Sequence, residues 1–213
     1  MNPTVGTQRF LEALRRVPVI GIIRAGDAGS AAGYLDDLIT VGLTAVEVSL
    51  STPGALDVIA EAMGGPRVAV ADGHYVHIGV GTVFTADQLH ASVDAGARFV
   101  VTPTTDVDVL AAAARRDVAI VPGAATPTEV QRAMAGGAAA VKLFPASLWS
   151  IAAFRDLRTV FPEVPFVPTG GVSERDASAW LRAGAVAVGM GSALTSGSVE
   201  VASFLQALAS DTP

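Results

Sequence analysis

The chain contains no cysteine. Disulfides, thiolate nucleophiles and cysteine-ligated metals are therefore excluded, and the composition suits a reducing compartment. Lysine is almost missing as well: Lys142 stands alone among thirteen arginines. Charged residues make up only 16% of the chain, the net charge is −6, and no basic stripe runs through it. Neither nucleic acid nor an acidic membrane surface is an expected partner. Long apolar runs are missing too. The first, Val17 to Ile23, is seven residues long, too short to span a bilayer. Arg9, Glu12, Arg15 and Arg16 precede it, which is not a secretory pattern. A cytoplasmic protein is expected, without membrane segment, metal or organic cofactor.

What is present is apolar: 51% of 213 residues, enough for one domain over 1–213 with a large core. Such a balance suits strands covered on both faces by helices. Residues 4–16 read as a short amphipathic helix, with Phe10, Leu11 and Leu14 on one side. Strands are then expected at 17–23, 45–50, 77–80, 98–102, 118–121, 139–144, 165–168 and 186–189. Helices are expected at 28–41, 53–63, 85–95, 106–115, 127–135, 150–160, 174–183 and 199–209. Pro53 is suited to open the second of these. Several helices end in small turns, such as Ala95-Gly96-Ala97 and Ala183-Gly184-Ala185, with a strand following at once. Strand–helix units repeated eight times imply a parallel sheet, closed as a (β/α)8 (TIM) barrel behind a short N-terminal helix. The structural alternative is an open doubly wound sheet, but no GxGxxG follows the first strand.

One stretch interrupts the rhythm. Arg67–Ala71 and Tyr75–Gly79 read as two extended runs joined by Asp72-Gly73, a small hairpin insertion. His74 and His77 fall here at H-x-x-H spacing, but no further ligand is evident nearby, so a metal is not expected.

In a barrel of this kind chemistry sits at the C-terminal ends of the strands. Side chains alternate along a strand, so Glu47 shares a face with Ala45 and Ser49. Lys142 likewise shares a face with Ala140 and Phe144. Val46, Val48, Val141 and Leu143 take the opposite faces, towards the helices, and both ionisable residues point inward. Lys142 alone admits two readings: an amine snorkelling to water from a strand end, or one desolvated so that it serves as a nucleophile for a carbonyl carbon. A buried structural Lys–Glu pair gains little after desolvation, so stability is a poor reason to build one. The glycine turns at Gly170-Gly171 and Gly189-Met190-Gly191-Ser192 let backbone N–H groups approach an anion. Ser173 to Asp176 resembles a capping box that starts a helix just beyond.

Seven segments, in order, carry a resemblance to a known family. They are Val-Pro-Val-Ile-Gly-Ile-Ile-Arg (17–24), Ala-Val-Glu-Val-Ser-Leu (45–50), Gly-Val-Gly-Thr-Val (79–83), Val-Val-Thr-Pro (100–103), Val-Pro-Gly-Ala-Ala-Thr-Pro-Thr-Glu (121–129), Val-Lys-Leu-Phe-Pro-Ala (141–146) and Pro-Thr-Gly-Gly-Val (168–172). Together the chain from about 17 to 195 resembles the 2-keto-3-deoxy-6-phosphogluconate (KDPG) / 4-hydroxy-2-oxoglutarate (KHG) aldolases, class I aldolases of (β/α)8 fold. The resemblance implies that Lys142 forms a Schiff base with a 2-keto acid and that Glu47 shuttles protons. It implies that Thr82 and Arg24 contact the pyruvate end and that Pro103 and Phe144 wall the pocket. It also implies that Gly170, Gly171, Gly191 and Ser192 hold a phosphate, and that the assembly is a homotrimer.

The chain departs from the family pattern in places. Ser51, Thr52 and Pro53 follow Leu50, where the phosphogluconate form usually carries an arginine. That absence, with Arg24 ending the first strand, looks like the phosphogalactonate branch. Thr169 before the double glycine looks like the gluco form. Ser147-Leu148-Trp149 and the 67–79 insertion match neither. The reaction implied is cleavage of a 2-keto-3-deoxy, 6-phosphorylated sugar acid to pyruvate and an aldehyde such as glyceraldehyde 3-phosphate. The galactonate epimer or 4-hydroxy-2-oxoglutarate are the alternatives within the family. Outside it stand a phosphate-binding barrel isomerase or synthase that needs no imine, and a non-catalytic sugar-acid-binding barrel.

Overall fold

The computed structural model of the chain describes residues 4–65, 75–197 and 200–211. Helix α1 (Val5–Arg16) is followed by β1 (Val19–Ile23), α2 (Ala28–Thr40), β2 (Ala45–Ser49), α3 (Ala55–Gly64) and β3 (His77–Gly81). Then come α4 (Ala86–Asp94), β4 (Phe99–Val101), α5 (Val107–Arg116), β5 (Ala119–Val121), β6 (Gly123–Ala124), α6 (Pro127–Ala135) and β7 (Val141–Leu143). The chain finishes with α7 (Ile151–Val160), β8 (Phe166–Pro168), α8 (Glu174–Arg182), β9 (Val188–Met190), α9 (Ser192–Thr195) and α10 (Val201–Asp211). Among the described residues no helix is long and apolar enough to cross a membrane.

Local chemistry explains where these elements begin. Asp27, Thr85, Asp106, Thr126 and Ser150 each accept an N–H from the first turn of the helix that follows. Their short oxygen-bearing side chains satisfy donors that the helix itself leaves unpaired. The expected capping box at α8 forms, with Ser173 N–H donating to Asp176 Oδ1 at 2.7 Å.

The described strands pair in parallel. Six form one sheet in the order β5-β4-β3-β2-β1-β9, and three form another in the order β6-β7-β8. A single parallel bridge, Thr169 to Gly189, links the end of β8 to β9. Strands β5 and β6 are one extended run interrupted at Pro122, which has no N–H to give to a ladder.

Each strand is buried on both faces, and the two faces do different things. Outward residues such as Val46, Val48, Ile78, Val80, Val141 and Leu143 pack with the helices in one large core. Inward residues, among them Ile20, Ala45, Phe99, Val121, Ala140 and Val167, form a second core that Phe10 and Leu14 of α1 complete. Phe10 stacks on Phe99 at 4.7 Å between ring centroids and meets His77 edge-on at 5.8 Å. Such ring pairs add about 0.5–1.5 kcal/mol beyond the area they bury. The alternation expected for β2 and β7 is therefore the one observed: Ala45 and Ala140 belong to the inner core, and the valines beside Glu47 and Lys142 to the outer one.

Some expectations need amendment. Pro53 does not open α3. Thr52 N–H turns back onto the Ser49 carbonyl at 2.9 Å, and Gly54 in the left-handed region (φ 74°) precedes the helix. Helix α9 was not expected. Residues 66–74, with the Asp72-Gly73 turn and His74, lie outside the described residues, while His77 begins β3 with its ring against Phe10.

Candidate active site

Glu47 stands in the middle of β2, and Lys142 in the middle of β7. Below them, towards α1, the inner face is mainly apolar, with His77 against Phe10 at its edge. Above them, towards the strand ends, it turns polar, with Ser49, Thr82 and Thr169. Both charged side chains are buried: Glu47 is 2% exposed and Lys142 8%. Burial pushes the Glu47 carboxyl above its ordinary value, and the positive charges of Lys142 and Arg24 pull in the opposite direction. Desolvation wins, so Glu47 takes up a proton more readily than a free glutamate. The Lys142 ammonium position lies 4.7 Å from the centre of the Phe144 ring, two residues along the same face. A cation over a ring face is favoured by the ring quadrupole.

The sequence makes room for this carboxylate in one particular way. Gly81 ends β3 and pairs with Ser49 of β2. A Cβ on Gly81 would overlap Glu47 Oε1 and come within 2.8 Å of its carboxyl carbon. No other residue type fits there without displacing Glu47. Thr82 follows at φ 65°, a conformation uncommon for any residue but glycine and rarer still for a β-branched one. Its Oγ1 lies 2.8 Å from Ser49 Oγ, which in turn lies 2.8 Å from Ser51 Oγ.

The other expected residues surround this pair in different ways. Arg24 is exposed at the end of β1, near enough for its charge to act on Glu47. Pro103 is half-buried beyond β4, with its carbonyl directly against Gly123. Thr169 is buried at the end of β8, donating its hydroxyl to the Val167 carbonyl at 3.1 Å. Gly170 and Gly171 both take left-handed backbone, at φ 87° and 90°. Phe144, Pro145 and Ser147 crowd against them, and the Phe144–Pro145 peptide bond is cis. The Ser147-Leu148-Trp149 run belongs to this turn: Ala146 N–H donates to the Thr169 carbonyl at 2.7 Å and Ser147 N–H to that of Gly170 at 2.9 Å. Gly191 and Ser192 follow β9, which the Thr169–Gly189 bridge holds beside this turn.

Ser49 was not picked out as a site residue from the sequence, and Thr82, which was, takes a backbone conformation not foreseen. Ser49 is a fully buried hydroxyl two residues beyond Glu47, and its place on the inward face was legible from alternation. The left-handed turn at Thr82 carried no local signal, because threonine is a poor choice for it.

An inward amine and an inward carboxylate on parallel strands define an α/β protein with a buried ionisable pair in its interior. The comparisons with known proteins are specific. The sequence model of KDPG and KHG aldolase matches residues 10–207. The chain belongs to the KDPG and KHG aldolase family and is a carbon–carbon lyase. It is 34% identical over 178 residues to the probable 2-dehydro-3-deoxy-6-phosphogalactonate aldolase of Rhizobium meliloti, covering 83% of this chain and 81% of that one. It is 38% identical over 164 residues to the 2-dehydro-3-deoxy-phosphogluconate aldolase of Treponema pallidum, covering 76% and 75%. Among solved structures, the KDPG aldolase of Legionella pneumophila, with pyruvate captured as a covalent carbinolamine, superposes with a TM-score of 0.75. That match has 28% identity and covers 96% of each chain. A cube-shaped protein cage designed by fusing symmetric oligomeric domains matches with a TM-score of 0.79 at 30% identity, over 92% of this chain and 72% of that one.

Proposed function

We propose that this aldolase cleaves a 2-keto-3-deoxy-6-phospho sugar acid of the gluco series to pyruvate and glyceraldehyde 3-phosphate, through an imine on Lys142. The observation that carries this reading is the buried Lys142–Glu47 pair, within electrostatic reach of each other inside the molecule. The neutral Lys142 amine adds to the C2 carbonyl; the carbinolamine hydroxyl then leaves as water with a proton from the Glu47 carboxyl, giving a protonated imine and the Glu47 carboxylate. Glu47 takes the proton of the C4 hydroxyl as the C3–C4 bond breaks, and the bonding electrons move into the imine to leave an enamine. The aldehyde departs. Glu47 returns its proton to C3 of the enamine, and water then hydrolyses the imine to free pyruvate and the amine. A carboxyl biased towards protonation by burial suits the second half of that cycle.

In this reading Thr82 and Arg24 meet the pyruvate carboxylate, Pro103 and Phe144 wall the C2–C4 region, and Thr169 faces the C4 hydroxyl. The left-handed Gly170-Gly171 turn, with Gly191 and Ser192 beside it, offers N–H groups to the 6-phosphate. A second reading, the galacto epimer, is favoured by the run Ser51-Thr52-Pro53 after Leu50, without the arginine usual in the gluco branch, and by Arg24.

The same reading takes residues 1–213 as one domain and the two sheets as one closed (β/α)8 barrel. Support comes from Ala139 N–H donating to the Ile120 carbonyl and Lys142 N–H to that of Pro122, both at 2.9 Å, across the β5–β6 interruption. The bridge at Thr169 supports it on the other side. A homotrimer and a cytoplasmic location complete the reading. The first is in keeping with the symmetric oligomeric domains of the designed cage, the second with a charged phosphorylated substrate that does not cross bilayers.

The test is borohydride reduction in the presence of pyruvate, followed by peptide mass analysis. Since Lys142 is the single lysine, an adduct on its peptide assigns the imine directly. No adduct in folded protein overturns the imine. Pyruvate release from the gluco and galacto acids, measured side by side, then selects the epimer.

A further inference from the structure

The fully buried Ser49 is not one of the reacting groups, yet it touches the strained part of the site. Its Oγ lies 2.8 Å from Thr82 Oγ1 and 2.8 Å from Ser51 Oγ, and it accepts the Ser51 N–H at 3.3 Å. Ser49 and Gly81 are register partners, and Leu50 N–H donates to the Gly81 carbonyl at 2.9 Å. The chain therefore passes the Glu47 carboxyl at Gly81 and turns at once into the left-handed Thr82 (φ 65°). A threonine keeps such a backbone only when its surroundings over-determine it. The contacts that do so for its side chain come from Ser49.

The proton count admits a direction that suits the site. Three hydroxyls in a row carry three protons, and the two links between them consume two. Ser49 already accepts one N–H. When Ser51 donates to Ser49 and Ser49 to Thr82, the surplus O–H is the one on Thr82. That is the polarity suited to an anionic carboxylate.

We propose that Ser49, backed by Ser51, is a positioning residue that holds Thr82 in its left-handed conformation with the hydroxyl hydrogen turned to the substrate carboxylate, and so sets the affinity for the keto acid. This inference rests on the reading of Thr82 as a carboxylate contact and of Lys142 as the imine lysine.

The test measures borohydride trapping of pyruvate on Lys142 against pyruvate concentration in the full chain. Wild type, Ser49→Ala, Ser49→Thr and Ser51→Ala are compared, with thermal unfolding recorded for each. In Ser49→Ala the half-saturating pyruvate concentration should rise about tenfold, the equivalent of roughly 1.4 kcal/mol. The amount trapped at saturation should stay unchanged. Ser49→Thr should restore the wild-type value to within about threefold, and Ser51→Ala, at an exposed position, should give a smaller rise in the same direction. A half-saturation within twofold of wild type in both alanine variants overturns the proposal, whether or not Ser49→Ala lowers the unfolding temperature. Should Ser49→Ala fail to fold, Ser51→Ala decides alone. Absence of any adduct in the wild type instead overturns the imine reading, and the positioning role falls with it.

Discussion

Glu47 is the residue whose environment says most about how it works. Its carboxyl is raised by burial more than it is lowered by Lys142 and Arg24. For a raised carboxyl the sign is fixed: the native state favours the protonated form. That contribution to stability is complete below the unfolded value and is lost as pH rises through the folded one. Glu47→Gln should therefore unfold at a higher temperature than wild type at pH 8, with the difference closing near pH 4; calorimetry across that range checks it. The same substitution should slow cleavage by roughly 10²–10⁴-fold. The acid limb of the wild-type pH–rate profile, placed above the ordinary glutamate value of 4.5, should vanish with it. Lys142→Met should abolish trapping by borohydride and lower kcat by roughly 10³-fold or more.

At the scale of elements, the site depends on backbone that admits no side chain. Gly81 closes β3 against the Glu47 carboxyl. Gly81→Ala should cost about 1–3 kcal/mol of stability by overpacking and lower activity at least tenfold by displacing Glu47. Denaturant unfolding and the cleavage rate report the two effects separately. The turn after β8 is different. A Cβ on Gly171 would meet Ser147 Cβ at 2.8 Å, on backbone at φ 90°. Gly171→Ala should raise KM for the phosphorylated acid while leaving pyruvate trapping within about twofold, which steady-state kinetics beside trapping will show. These predictions part company because one glycine abuts the Glu47 carboxyl and the other lies in the turn proposed to hold the phosphate. Helix α1 does a third job. Its Phe10 seals the inner core at the α1 end, stacked on Phe99, so Phe10→Ala should cost about 3–5 kcal/mol while the folded fraction keeps its kcat.

The whole molecule is an apolar chain that buries few polar side chains, with Glu47, Ser49, Lys142 and Thr169 among them on the inner strands. Strand positions were legible because buried parallel strands are short β-branched runs between Gly- and Asp-bearing turns. Helix starts were legible where a side-chain oxygen caps them, as at Asp27 and Thr126, and misread at Pro53, where a turn held by Thr52 and Ser49 outweighs proline's preference. The proposed trimer belongs to this scale: sedimentation should return a particle three times the 21.5 kDa chain.

By itself the sequence determined which ionisable residues the strands carry into the interior. A single lysine and an inward glutamate on β-branched strands leave few alternatives, since strand alternation dictates the face each occupies. Only the tertiary structure decided how they are held. The approach of Gly81 to the Glu47 carboxyl, the left-handed Thr82 and the hydroxyl chain through Ser49 each join groups from different strands. So does the balance between desolvation and the two cationic neighbours at Glu47. None of these follows from local periodicity, because distances between strands are set by packing, and packing is a property of the folded chain.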